Sequence, residues 1–311
     1  MTTGKAAYLE SARSGVLADR AEQARALMKV CELCPRRCRV NRLNGETGVC
    51  RTAEKALVAS YSPHFGEEAP LVGLHGSGTI FFTHCNLLCN FCQNFDISHE
   101  GQGEAVTDAM LAEMMLQLQA MGCHNINFVT PSHVIPQILA AVNIAADKGL
   151  TVPLVYNSGG YDRVDSLELL EGIVDIYMPD FKFWDADIAQ KTCDAPDYPE
   201  VACKALIEMH RQVGDLVIAK SGLAVKGLLI RHLVLPDDLA GTRSVMRFIA
   251  SNVSANSYVN VMPQYRPCGR AHEVPGLQRS LSHEDFRAAL QAAREEGITR
   301  LDQRRRVFMT K

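Results

Sequence analysis

The chain has 311 residues, of which 47% are hydrophobic and 22% charged; this ordinary globular composition excludes wholesale disorder and collagen-like or coiled-coil architecture. Its 32 Lys and Arg against 35 Asp and Glu give a formal charge of −3, without the basic excess of a dedicated nucleic-acid binder. No run of 18 apolar residues and no apolar stretch of signal-peptide length occurs, so no membrane partner is expected and the expected location is the cytoplasm, where clustered cysteines point to metal or catalysis rather than disulfides.

Taken in chain order, residues 1–30 are rich in Ala, Leu, Glu and Arg and read as helix. Residues 31–50, CELCPRRCRVNRLNGETGVC, read as a cysteine- and arginine-rich loop, and residues 51–78, punctuated by Gly66, Gly73, Gly76 and Gly78, as mostly irregular. From Thr79 an alternation sets in. TIFFTHC, NINFVT, VPLVYN, VDIYMP, GLLIRHLVLP and YVNVMP have the length and apolarity of buried strands. Helical patterns follow them: DAMLAEMMLQLQAMG, VIPQILAAVNIAADKG, SLELLEG, VACKALIEMHRQVG, TRSVMRFIASNV and SHEDFRAALQAAREEG, the last with Ser282 as N-cap. Six strand–helix units imply an α/β fold with a parallel, right-handed sheet. A partial barrel and an open doubly wound sheet both fit that count, and the missing Gly-rich turn after the first strand counts against a nucleotide-binding doubly wound fold. In either case the working loops lie at the C-terminal ends of the strands. The expected division is an N-terminal helix and Cys-rich metal-binding extension, 1–75, and a main domain, 76–311.

The loop after the first of these strands reads THCNLLCNFCQN. Cys85, Cys89 and Cys92 put three soft thiol ligands on one short loop, one fewer than structural zinc and simple electron-transfer clusters use. Three ligands leave one coordination position open, which a catalytic centre needs. The alternatives are three buried cysteines, or a zinc knuckle that borrows His84 or His99.

Cys-x3-Cys-x2-Cys with Phe91 before the last cysteine, set between a strand and a helix, resembles the signature of the radical S-adenosylmethionine (SAM) enzymes. CELCPRRC, HFGEEAPLVG, GSGTIFFTHCNLLCNFCQNFDIS, VYNSGGYD, DIYMPDFKF, GLLIRHLVLP and YVNVMPQYRP extend the resemblance over roughly residues 31–270, to the pyruvate formate-lyase activating enzyme-like branch. The resemblance implies a partial (β/α)6 radical SAM barrel with an N-terminal Cys-rich extension. It further implies a [4Fe–4S] cluster on Cys85, Cys89 and Cys92, the catalytic centre, with SAM on its unique iron. One-electron cleavage of SAM then gives a 5′-deoxyadenosyl radical that abstracts a hydrogen atom, and a low-potential flavodoxin or ferredoxin donates the electron. Less directly, it places Phe91 by the adenine and Asp180 and Lys182 at the methionyl end. Asn157, Ser158, Arg231 and His232, at strand ends, are further cofactor-binding candidates. Where many members carry Gly-Gly-Glu at the end of the second strand, this chain reads NINFVTPSH, so Asn127, Thr130, Ser132 or backbone carbonyls would have to substitute. The expected substrate is a backbone glycine of a glycyl radical enzyme. The alternatives are another protein or a small molecule as substrate, or a non-catalytic iron–sulfur or zinc protein for electron transfer or scaffolding.

A second constellation, Cys31, Cys34, Cys38 and Cys50, has four thiols within twenty residues, interleaved with Arg36, Arg37, Arg39 and Arg42. It is a candidate second metal site, for zinc or iron–sulfur. A metal-stapled cap on the barrel is favoured over a docking element for an acidic partner. Cys123, Cys193, Cys203 and Cys268 are scattered and expected as small buried side chains, Cys268 being also a candidate for substrate chemistry. Glu67 and Glu68 of HFGEE are expected to orient substrate or pair with a loop arginine.

Overall fold

The computed structural model describes residues 5–302; residues 1–4 of the expected helical segment and 303–311 of the expected main domain lie outside them. The N-terminal helix is broken into α1 (Tyr8–Arg13) and α2 (Val16–Ala26). Gly15 sits between them at φ 82, in the left-handed region that costs glycine little.

Residues 51–78 depart from the irregular reading. They hold β1 (Ala56–His64) and the short α3 (Ala69–Val72). β1 pairs antiparallel with β2 (Ser77–Phe82), and β3 (Glu104–Val106) pairs antiparallel with the other edge of β1. After the cysteine loop and α4 (Phe95–Ser98) comes α5 (Asp108–Ala120), whose N-cap Thr107 accepts a hydrogen bond from the Met110 amide at 3.2 Å. The expected alternation then runs as read: β4 (Ile126–Val129), α6 (Ile135–Asp147), β5 (Leu154–Asn157), α7 (Val164–Glu168) and β6 (Ile176–Tyr177). Helices α8 (Ala186–Cys193) and α9 (Tyr198–Val213) and the short β7 (Val217–Ile218) lead to β8 (Ala224–Leu233). α10 (Thr242–Phe248), β9 (Tyr258–Met262), α11 (His283–Glu295) and β10 (Arg300–Leu301) complete the order. Ser282 caps α11 in a reciprocal capping box with Asp285.

The strand order is β10-β9-β8-β6-β5-β4-β2-β1-β3, and β2, β4, β5, β6, β8 and β9 form one parallel run. β2 and β9, the ends of that run, pair outward with β1 and β10 and not with each other. The result is a partial (β/α)6 barrel with a gap.

β4 and β5 are buried along almost their whole length, as expected where helices cover the outside and side chains fill the inside. The large outer core includes Ile80, Phe128, Tyr156, Leu228 and Ile230, and the smaller inner one Val155, Ile176, Met178 and Leu229 together with Leu71 of α3. Each such aliphatic side chain contributes roughly 1.5–3 kcal/mol by burial. The segment before β2 spans the gap: Leu71 packs inside the barrel, and Glu68 accepts from the Asn260 side chain on β9 at 2.7 Å. Among the described residues no helix is long and apolar enough to cross a membrane.

Candidate functional site

Strand parity and the barrel's polarity decide which side chains meet. The C-terminal ends of the parallel strands surround a cavity of about 190 Å³, lined by Cys85, Cys89, Phe91 and Cys92 from the loop after β2. Thr130 joins them after β4, Asn157 and Ser158 at the end of β5, Asp180 and Lys182 after β6, and Arg231 from β8. Ten candidates separated by up to 146 positions in sequence thus share one wall.

The charged members form a chain. Arg231 donates from Nε to Asp180 Oδ1 at 2.9 Å, and Lys182 Nζ pairs with the other carboxylate oxygen. Burial works to raise the Asp180 carboxyl, but Arg231 and Lys182 outweigh it and hold it below the usual range. Burial likewise works against the charged Lys182, and the Asp180 carboxylate reverses that and raises it. Behind them, Tyr198 Oη accepts from the Lys182 amide at 2.8 Å and lies 3.0 and 3.1 Å from the carbonyls of Gly159 and Asp180. Gly160 is required here: at φ 75, a Cβ on it would meet the Asp180 carbonyl oxygen at 2.1 Å.

The cysteine loop is tightly determined. His84 and Leu88 have φ 66 and 56, and Thr130, at the end of the neighbouring β4, has φ 62. The left-handed region is strained for a β-branched residue, and such strain persists only where surroundings impose it. The Leu87 amide points at Cys85 Sγ, 3.3 Å away. Burial pushes the Cys85 thiol up to about 12. Cys89 is raised by a hydrogen bond from Cys193, whose Sγ is 3.3 Å from its own, and then by burial. Phe91 is held edge-on to Phe183 and Tyr265, with ring centroids 5.8 and 6.0 Å away.

Three candidates do not reach the cavity. His232, next to Arg231 on β8, faces the outer helices: it is fully buried, with Nδ1 2.7 Å from the Phe181 carbonyl and Nε2 2.9 Å from Thr242 Oγ1. Successive strand residues point to opposite faces, so only one of the pair can face inward. Asn127 is on the inward parity of β4 with Val129, one layer deeper, and is fully buried with neither amide atom partnered. Ser132 is buried and does not line the cavity.

The sequence reading also missed several members. Gln93, Asn94, Met262 and Gln264 line the cavity, and nothing in residue type or spacing marked them. Glu67 and Glu68 pair with an arginine, as expected, but it is Arg231 on a strand, at 3.8 and 3.9 Å, and not one on a loop. Cys193 is buried as expected but abuts the Cys89 thiol. Cys268 is half-buried and off the cavity wall.

The four N-terminal cysteines come together elsewhere. Cys31, Cys34, Cys38 and Cys50 line a separate cavity of about 10 Å³ with Leu33, Val40, Arg42, Gly48 and His133. Among the described residues no three His, Cys, Asp or Glu side chains already stand in the arrangement of a ligated ion. Both thiol sets line a cavity and do not close on its centre. The donor chemistry of the barrel site, three soft thiols beside open volume and a grouped Asp, Lys and Arg, suits an iron–sulfur cluster that leaves one iron to another molecule.

No protein-family model matches the chain. It is 32% identical over 299 residues to the uncharacterized protein MJ0674 of Methanocaldococcus jannaschii, covering 93% of this chain and 82% of that one. A radical SAM methyltransferase from Sphaerobacter thermophilus superposes with a TM-score of 0.52 at 16% identity, over 73% of this chain and 66% of that one. This chain therefore spans just under two thirds of that enzyme's length, and the likeness shows the fold. A domain of pyruvate-formate lyase-activating enzyme from Bacteroides vulgatus aligns over 50% of this chain and 85% of that one at 15% identity, but with a TM-score of 0.36 that carries no argument.

Proposed function

The chain belongs to the same family as protein MJ0674, and we propose that it is a radical SAM enzyme working in the barrel cavity. The observation that carries the reading is the shared wall: three loop thiols, Asp180, Lys182 and Arg231 surround one space at the C-terminal ends of the strands. When bound, the cluster supplies the electron that splits SAM into methionine and a 5′-deoxyadenosyl radical for hydrogen abstraction.

The chain's own residues bind, orient and shield. Cys85, Cys89 and Cys92 hold the [4Fe–4S] cluster. Lys182, kept charged by Asp180, is the donor for the methionyl carboxylate, and Asp180 is the acceptor that fixes Lys182 and Arg231. Asn157 and Ser158 present polar groups to the nucleoside. Ser158 is set by its 2.6 Å hydrogen bond to Asp162, which also accepts from Tyr156. Thr130, at the end of β4, lies beside them, its amide donating to the Asn157 carbonyl at 2.9 Å. Phe91, Phe81, Leu87 and Val129 supply the apolar wall that excludes water.

The finer reading is that the substrate is a backbone glycine of a partner enzyme, with a low-potential flavodoxin or ferredoxin as electron donor and the cytoplasm as location. It is supported by the motifs shared with the activating enzymes. Anaerobic protein reconstituted with iron and sulfide and given dithionite and SAM should release 5′-deoxyadenosine. Protein with an intact cluster that releases none defeats the enzymatic reading. A glycine-centred doublet in the electron paramagnetic resonance spectrum on mixing with a candidate partner supports the glycyl-radical substrate, and its absence while 5′-deoxyadenosine is formed points to another one.

A further inference from the structure

The cavity enclosed by Cys31, Cys34, Cys38 and Cys50 has features that the barrel chemistry does not use. Its volume of about 10 Å³ is the room of roughly one water-sized sphere, enough for a single ion. The four thiols line this space without closing on its centre; drawn onto one ion they would complete a tetrahedral donor set, with no position left for a substrate.

Two buried side chains at the same cavity each have one nitrogen without a partner. Arg42 is 1% exposed. It donates to the Ala53 carbonyl at 3.0 Å and the His133 carbonyl at 2.8 Å, its Nη1 lies 3.9 Å from Cys31 Sγ, and its Nη2 has no partner. No carboxylate pairs with it among the described residues. A buried guanidinium without a counter-charge is costly, and metal-bound thiolates supply that charge. His133, also 1% exposed, has Nε2 3.1 Å from the Thr83 carbonyl. A carbonyl only accepts, so Nε2 carries the proton and the unpartnered Nδ1 is a bare lone pair beside the thiols. The loop is shaped to the sulfurs as well. The Val49 amide points at Cys38 Sγ, 3.4 Å away, and a Cβ on Gly48 would overlap that sulfur at 2.5 Å.

We propose that this cavity binds one zinc ion through the thiolates of Cys31, Cys34, Cys38 and Cys50, and that the ion fixes the segment bracing the barrel's cysteine loop. Binding exchanges four thiol protons for one divalent ion, with no change in oxidation state. The bracing is carried by Arg36, two residues after Cys34. Its guanidinium donates to the carbonyls of Asn86 at 2.8 Å, Leu87 at 3.1 Å and Cys193 at 2.6 Å, and also to that of Asp194. Asn86 and Leu87 lie between the first two barrel cysteines. His133 holds Thr83 just upstream, and Arg42 holds His133.

The test uses the full chain with Cys85, Cys89 and Cys92 all replaced by Ala, so that the radical SAM cluster cannot form and the N-terminal set is intact. Purified and dialysed against a chelator, it should retain one zinc per chain and neither iron nor sulfide. X-ray absorption at the zinc edge should show four sulfurs at about 2.3 Å. Retention of iron and sulfide, absence of metal from folded protein, or a mixed nitrogen and sulfur shell would each overturn the assignment. In the otherwise native chain, Cys34→Ser should lose the zinc; should that variant not fold, the triple variant still decides. Failure of the radical SAM reading shows separately, as native protein that forms no cluster or releases no 5′-deoxyadenosine.

Discussion

The two cysteine sets use the same ligand atom for opposite ends. At the N-terminus four thiols line a cavity of about 10 Å³ together with a buried arginine and histidine. On the barrel, three thiols border a cavity of about 190 Å³ that also holds a grouped carboxylate, ammonium and guanidinium. A closed ligand set leaves no position for a substrate, whereas an incomplete one beside free volume leaves chemistry to a second molecule. The difference teaches that ligand count has to be read together with the room beside it.

The sharpest break in this comparison is at single cysteines. Cys89→Ala should abolish 5′-deoxyadenosine release, while Cys34→Ala should lower the midpoint of thermal unfolding more than turnover. Equal loss of the barrel cluster in both, followed by its visible absorption, would erase the distinction.

Next comes the link between the sets. Arg36→Ala leaves the carbonyls of Asn86, Leu87 and Cys193 without their charged donor. A loss of about 1–3 kcal/mol in unfolding free energy is expected, with a lower yield of reconstituted cluster. Denaturant titration and iron content measure the two effects, and an unchanged value for both would disconnect the regions. Within the cavity, Lys182→Met should weaken SAM binding roughly 10- to 100-fold, the value of a hydrogen bond to a charged group, with the cluster retained. Isothermal titration of reconstituted protein measures it, and unaltered affinity would remove Lys182 from the methionyl end. The smallest effect is expected at His232→Phe. Loss of the bonds to Phe181 and Thr242 should cost about 1–2 kcal/mol of stability and leave SAM affinity alone. A weakened affinity without a stability change would put His232 back at the cofactor.

The six parallel strands and most of their helices were legible because their apolar runs are long and end in turn residues. β1 was not: its ALVASYSPH carries polar residues and a proline, as a half-exposed antiparallel strand tolerates. Within the site, the cysteine loop was legible from local spacing, and the Asp180–Lys182 pair only through the family resemblance. The choice between Arg231 and His232 was not, because GLLIRHLVLP is apolar on both faces and gives no alternation to assign parity. The pairing of Glu68 with Asn260, 192 positions apart, and the approach of Cys193 to Cys89 depend on tertiary path alone, and no short-range signal encodes them.

In a closed barrel, strand number and stagger fix the bore. Here β2 and β9 are joined by no ladder, only by side chains such as Glu68 and Asn260 reaching across. Girth is therefore set by a few replaceable contacts, and the seam is the compliant direction of the cylinder. A substitution at Glu68 or Asn260 therefore bears on this seam and on no ladder between the parallel strands.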